Sequence, residues 1–251
     1  MFRLRLTALA LFASPVLCLA QTDEIQVYDA SIAEKGKWNL MLHNNFTPSG
    51  IRTPAFPGAV ISDKAVVGVA EWAYGATDWF EAGLYLPLYS LSHGPQVNGF
   101  KLRSLLVRPH ADDHKFIYGV NFEFSVNSEH WDERRITSEI RPILGWHLNP
   151  IDIIVNPIMD TSYTGGLKSL DFAPAIRVAY NFSKNWAVAA EEYSDYGAFR
   201  DFYGVSEQFH QVWCVINHTF RWFDIETGAG HGITAASDKW TVKFMISRDL
   251  N

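Results

Sequence analysis

Twelve stretches of this chain alternate apolar and polar residues with a period of two, and the connections between them alternate short and long. Period-two alternation sends successive side chains to opposite faces of a strand. The clearest stretch is 116–126: Phe116, Tyr118, Val120, Phe122, Phe124 and Val126 share one face, and Ile117, Gly119, Asn121, Glu123 and Ser125 share the other. The other stretches fall at about 37–46, 64–74, 79–89, 100–108, 136–148, 151–159, 170–182, 186–193, 209–218, 223–231 and 239–248. Connections after even-numbered stretches are short, at 75–78, 109–114, 149–150, 183–185 and 219–221. Those after odd-numbered stretches are mostly longer and rich in Gly, Pro and charge. Short turns at one end, long loops at the other and both termini on the short-turn side make up the plan of a transmembrane β-barrel. A soluble β-sandwich has no reason to keep this parity. The expectation is an all-β chain: one antiparallel transmembrane barrel of about twelve strands over 37–251, with both termini periplasmic.

The short turns share a second property. The hairpin at 70–87 bends at Gly75-Ala76-Thr77-Asp78, with Trp72 and Tyr74 before the bend and Trp79 and Phe80 after it. Trp146, Trp186 and Phe223 flank three further short turns. Rings with one apolar body and one polar edge collect where a membrane meets water. Core packing accounts for any one of these aromatics, but not for their common place at turn ends. Trp72, Tyr74, Phe80, Trp146, Trp186 and Phe223 are therefore expected in one girdle.

The N-terminus reads as an export signal. Arg3 and Arg5 precede an apolar run from Leu6 to Leu19, and Ala20 is a small residue before a polar segment. A cleavable signal peptide over 1–20 follows, with 21–36 as a periplasmic N-terminal extension. Leu17 stands where a lipobox before Cys18 needs a small residue, which argues against a lipoprotein. The run Asp23-Glu24-Ile25-Gln26-Val27 loosely resembles the box by which large outer-membrane receptors meet their energising partner, but this chain has no room for their plug domain. Cleavage leaves Cys214 as the sole cysteine, so no internal disulfide forms. The formal net charge is −6 and becomes more negative without Arg3 and Arg5, which argues against a nucleic-acid partner. After the N-terminus no apolar run reaches the length of a membrane helix.

Alternation sorts the charged residues to the inner face. Glu71, Glu81, Lys101, Arg103, Glu123, Glu139 and Arg141 are expected to line the lumen from the first half of the barrel. Asp171, Arg177, Glu191, Asp224, Glu226 and Lys243 line it from the second half. Asn121, Asp152, Asn156, His210 and His218 are assigned to the same face. Such a set either pairs into a structural network or lines a narrow polar pore. Pro87, Pro142, Pro157 and Pro174 count against the plan, since proline removes a ladder donor and a closed barrel has no edge to host it. They require bulges, strand ends or register shifts, and they leave the strand count open by two.

Other chemistry is sparse. His43, His93, His130, His210, His218 and His231 are scattered, and none shares a local motif with a serine and an acid, as a lipid hydrolase would need. No Cys/His spacing suggests zinc, and no Gly-rich loop suggests a nucleotide. Asp112-Asp113-His114 reads as a solvated turn more than a cation site. No cofactor, no metal and no enzymatic activity are expected.

The run Tyr74-Gly75-Ala76-Thr77-Asp78-Trp79-Phe80-Glu81-Ala82-Gly83 resembles a signature of the outer-membrane barrel family of transporters of the MetA-pathway of phenol degradation. Residues 180–186 resemble a looser second copy. The resemblance implies a Gram-negative outer-membrane barrel that passes a small, aromatic or hydrophobic solute through its lumen, and it brings no catalytic residues. The expected partners are outer-membrane lipid, a small-molecule solute and, during biogenesis, the barrel-assembly machinery. A plugged structural or adhesive barrel with partner-binding outer loops is the alternative, and an outer-membrane lipid hydrolase a third.

Overall fold

The computed structural model of the chain describes residues 24–91, 94–97, 99–163 and 170–250. The expected signal peptide lies outside these residues. The described chain forms a closed antiparallel barrel of 12 strands. They are β1 (Trp38–Ser49), β2 (Val66–Gly75), β3 (Phe80–Leu91), β4 (Gly94–Val97 and Gly99–Val107), β5 (Phe116–Asn127) and β6 (Ile136–His147). They continue with β7 (Ile151–Asn156 and Met159–Thr161), β8 (Asp171–Phe172 and Ala175–Ser183), β9 (Trp186–Asp195), β10 (Phe209–Thr219), β11 (Asp224–Gly232) and β12 (Trp240–Leu250). Each strand pairs with its neighbours in sequence, and β12 closes the ring on β1, from Trp38 opposite Leu250 to Phe46 opposite Val242. The strand count therefore matches the alternation in the sequence.

One loop was misread. The stretch 90–98 was expected as a connection, yet Gly94–Val97 pairs with the end of β3, so this hairpin runs on past the expected strand ends. The alternation there is weak, and proline and glycine had suggested a loop.

Outward side chains such as Leu102, Phe122, Val188, Val212, Val242 and Phe244 are exposed all round the wall. Water would penalise so much bare apolar surface, whereas a bilayer matches it. Inward, the rule of a polar lumen holds only in part. Leu105, Ile117, Ile143, Ile154 and Ala175 form a buried cluster, and Ala179, Ala189, Trp213 and Val215 form a second.

Those inward apolar patches have a partner. The segment 21–36 was expected outside the barrel as an extension, and its described part begins at Glu24. From Glu24 to Ala33 it packs against inward side chains of strands on every side, and is a lumenal strap. Val27, Tyr28 and Ala30 join the first apolar cluster, and Ile25 joins the second. Its backbone is held by barrel side chains. Asn156 accepts from Tyr28 N at 2.7 Å and donates to Tyr28 O at 2.9 Å. Lys243 donates to Ile25 O at 3.1 Å, Arg141 to Gln26 O at 3.2 Å, and Glu81 accepts from Ala33 N at 2.5 Å.

The strap leaves the lumen beside the short turn after β2. Gly36 N donates to Gly75 O at 2.6 Å, and Gly75 N to Lys37 O at 3.1 Å. A Cβ on Gly75 would stand 2.2 Å from Ala33 O and 2.4 Å from Glu34 O, so only glycine lets the strap cross here. Gly75→Val should therefore unseat the base of the strap and cost about 1–3 kcal/mol by overpacking. Limited proteolysis should then cut near 33–37 faster than in the unmodified protein.

A charged belt and two chambers in the lumen

Midway along the lumen the charged side chains meet in three groups. In the first, Arg103 lies between Glu71, at 2.9 Å, and Glu81, in still closer contact, while His43 Nε2 stands 3.2 Å from Glu71. The Arg103 guanidinium also lies over the rings of Tyr85 and Tyr28, whose hydroxyl oxygens are 2.5 Å apart.

In the second group Arg141 pairs with Glu139 at 2.6 Å, approaches Glu24 at 3.8 Å and lies 4.2 Å over the Tyr28 ring. Glu123 accepts from Asn121 at 2.9 Å and lies 4.0 Å from Lys101. In the third, Lys243 is fully buried between Glu191, at 2.7 Å, and Glu226, at 2.6 Å. Arg177 bridges the same two carboxylates and takes Asn217 as a further acceptor at 2.6 Å. Asp171 pairs with Arg134 at 3.5 Å nearer the long loops, and Asp224 is exposed at the turn end.

Burying an ion costs several kcal/mol unless a partner and hydrogen bonds replace its water. The cross-strand register sets Arg103 opposite Glu123 and Arg177 opposite Glu191; Glu123 also lies opposite Glu139, and Arg141 beside them compensates that like pair by bonding Glu139. Tyr28 and Tyr85 are the belt members that charge counting missed. Tyr85 shares the face of Glu81 in the sequence, which was a readable sign; nothing in the sequence marked Tyr28 as interior.

The belt and the strap divide the lumen. On the turn side lies a chamber of about 530 Å³, lined by Asp29, Glu71, Glu81, Asp224, Glu226 and Asp249 among others, with Arg103 its one Lys or Arg and His218 its one histidine. Asp112, on the short helical turn after β4, also faces it. Burial pushes the Asp112 carboxyl above its ordinary range, and the nearby Asp29 adds to the effect. On the loop side lies a chamber of about 190 Å³, where Glu24, Glu139, Asp160, Asp171 and Asp195 outnumber Lys101, Arg134 and Arg141. Gln26 lines both chambers. Electrostatically, both attract cations.

The expected girdle residues sit at the turn end, and their rings meet neighbours there. Tyr74 lies 5.0 Å from Trp38, Phe80 6.0 Å from Trp79, Trp146 5.5 Å from Phe116, Trp186 6.3 Å from Phe182 and Phe223 4.6 Å from Phe220. Trp72 faces outward one step farther from the rim.

Two histidines are on the other face from that expected. Gln211, Trp213 and Val215 point inward, so the alternation turns His210 and His218 outward, although His218, at the turn end, still lines the turn-side chamber. His218 stacks against Trp186 at 3.9 Å in the girdle. His210 joins Ser194 and Glu192 at the loop end of β9 and β10. Its Nδ1 is 3.1 Å from Ser194 Oγ and 3.0 Å from Glu192 Oε1.

These are the residue types of a hydrolase on the outer rim, but not the arrangement. A triad needs the acid on one imidazole nitrogen and the nucleophile on the other. Here both share Nδ1, Ser194 donates directly to Glu192, and Nε2 faces Gln208 at 3.1 Å. The Ser194 N–H, an obvious oxyanion donor, is bonded to Pro174 O at 3.0 Å. The cluster ties two strand ends together. Among the described residues no group of three or more His, Cys, Asp or Glu side chains is placed to hold a metal ion.

A closed wall with an apolar outer band, one aromatic rim at its turn end and a charged lumen is the architecture of an outer-membrane-type β-barrel. Among solved structures, the fold is similar to the COG4313 outer membrane channel from Pseudomonas putida F1, with TM-score 0.62 and 14% identity over 90% of this chain and 100% of that one. It is also similar to the NanC porin, with TM-score 0.56 and 10% identity over 84% of this chain and 99% of that one. At these identities the likeness is one of fold. No protein-family model and no curated protein matches the chain.

Lys243→Ala strips Glu191 and Glu226 of their shared cation. The expected loss is about 3–5 kcal/mol, read as a lower urea midpoint and a lower temperature for the gel-mobility shift of the folded barrel. Conservative Lys243→Arg should recover part of it. Ser194→Ala should leave phospholipid vesicles as intact as the unmodified protein does, with no fatty acid released by either.

Proposed function

We propose that this barrel lies in the outer membrane of a Gram-negative bacterium, is exported by cleavage of 1–20, and carries a small solute along its lumen. The observation that carries this reading is the pair of chambers, one on the turn side and one on the loop side, with Gln26 of the strap lining both. The long loops then face outward and the short turns inward, with outer-membrane lipid against the apolar band and the barrel-assembly machinery guiding insertion. The strap determines the width of the path. Both chambers carry an excess of carboxylates. Small cationic or neutral solutes are thereby favoured over anions. The aromatic or hydrophobic solute implied by the resemblance to the MetA-pathway family would cross as a neutral molecule.

The filled lumen also supports a second reading, a plugged barrel that acts through its loops. Planar bilayers separate the two. The whole protein should show small, flickering, cation-preferring conductance under a KCl gradient. A variant lacking residues 24–33 should show larger and steadier steps of the same sign. Silence from both would leave the plugged reading and end the transport one. Anion preference would overturn the assignment of solute charge.

A further inference from the structure

Four carboxylates stand in one row across β5, β6, β7 and β8. Glu123 lies opposite Glu139, Glu139 opposite Asp160, and Asp160 opposite Asp171. Like charges directly opposite each other destabilise a strand pair, so such a row calls for cations. Basic side chains answer it only in part. Lys101 stands 4.0 Å from Glu123, Arg141 bonds Glu139 through two of its nitrogens, and Arg134 lies 3.5 Å from Asp171. Arg134 is shared with Asp132, at 3.1 Å. Asp160 stays between two carboxylates.

The strap brings one more carboxylate to the same place. Glu24 is 5% exposed and lines the loop-side chamber together with Glu139 and Asp160. Neither of its carboxylate oxygens has a hydrogen bond. Arg141 stands 3.8 Å away but directs its hydrogen bonds to Glu139 and to Gln26 O. A buried carboxylate held this way is costly until a cation donates to it.

The rest of the chamber defines the kind of cation. Hard metal ions take a shell of six or more oxygen ligands, and among the described residues no three acidic side chains are grouped for one. Trp131 and Phe209 line the same chamber, with Ile158 and Ala173. Aromatic faces attract organic cations, and apolar walls accept a hydrocarbon body. The volume of about 190 Å³ equals that of about six water molecules. It suits one small molecule and excludes a peptide.

We propose that the loop-side chamber binds a small amine as its ammonium ion, with Glu24, Glu139 and Asp160 as acceptors and Trp131 and Phe209 against its apolar body. The ammonium supplies the positive charge that the row lacks, and its N–H donors suit carboxylates on more than one element. This deepens the reading of the lumen as a solute path by giving it a solute class, but binding needs no passage beyond the strap.

The test is calorimetric titration of the whole purified protein in detergent, at neutral pH, with phenethylamine beside its neutral and anionic counterparts phenethyl alcohol and phenylacetate. The amine is expected to bind tighter than the alcohol by about tenfold, the worth of one charge-assisted hydrogen bond, and phenylacetate not at all. Glu24→Gln and Asp160→Asn should each weaken the amine by about tenfold and leave the alcohol unchanged. Each removes an uncompensated carboxylate, so each should also raise the urea midpoint of the protein without amine. Asp29→Asn, in the turn-side chamber, should leave amine affinity as it was. Equal affinity for amine and alcohol, or amine affinity that survives both loop-side substitutions, would overturn the site. Magnesium that displaces the amine and binds tighter would overturn the choice of an organic cation. Should the variants fail to fold, carbodiimide coupling of the amine to the unmodified protein, mapped by mass spectrometry, places it instead. Amide on Glu24 or Asp160 supports the site, and amide confined to Asp29 and Asp224 overturns it. Bilayer conductance is read separately: amine binding without conductance keeps the site and ends the transport reading, and conductance without amine binding ends the site alone.

Discussion

The wall of this barrel rests on one requirement: a backbone donor or acceptor that faces hydrocarbon must find its partner in the next strand. Closure of β12 on β1 leaves the ring without a free strand edge. The same requirement explains why the sequence is legible, because a closed ladder fixes register, and register fixes which residues face lipid. It also gives the prolines their weight. A missing donor on an edge strand of a soluble sheet is filled by water. Between β6 and β7, where the register sets Pro142 opposite Pro157, no such solvent is at hand, and the loss stays local because the pairs Ile140–Met159 and Leu144–Val155 on either side are kept.

Inside the wall a different balance holds. The belt contains enough carboxylates to oppose every buried cation, and Lys243 and Arg103 each serve two of them. Removing one partner is worse than removing a pair, since it leaves a buried charge with neither counter-ion nor water. The belt thus holds opposite sides of the ring at one height. It gives a rigid floor on which the strap rests, and it narrows the lumen far below what 12 strands would otherwise enclose.

The wall could be read from the sequence almost strand by strand, because it depends on local alternation. The strap could not. Residues 24–33 show no period, and the groups that hold them are side chains of Asn156, Lys243, Arg141 and Glu81, far away along the chain. Missing the strap also produced the error at His210 and His218. With a polar lumen assumed, β10 should turn Trp213 and Val215 outward. They face inward because Ile25 offers them apolar contact there. The Ser194–Glu192–His210 cluster was hidden for a similar reason: its members come together only through the β9–β10 register.

How firmly the strap is held follows from the kinds of contact it makes. Its polar anchors are mostly backbone groups bound by barrel side chains, each worth about 1 kcal/mol net when water can replace it. Ile25, Val27 and Tyr28 add about 2 kcal/mol apiece by burial. Against this stands the ordering of ten residues at about 1 kcal/mol each. The two sides are of similar size, so the strap is held without being locked. A strap fastened through its own charged side chains to the belt would seal the lumen. This one is fastened mainly through its backbone and a few apolar side chains, with Glu24 only 3.8 Å from Arg141 as a charged contact, and water entering in its place would satisfy Asn156, Lys243 and Arg141.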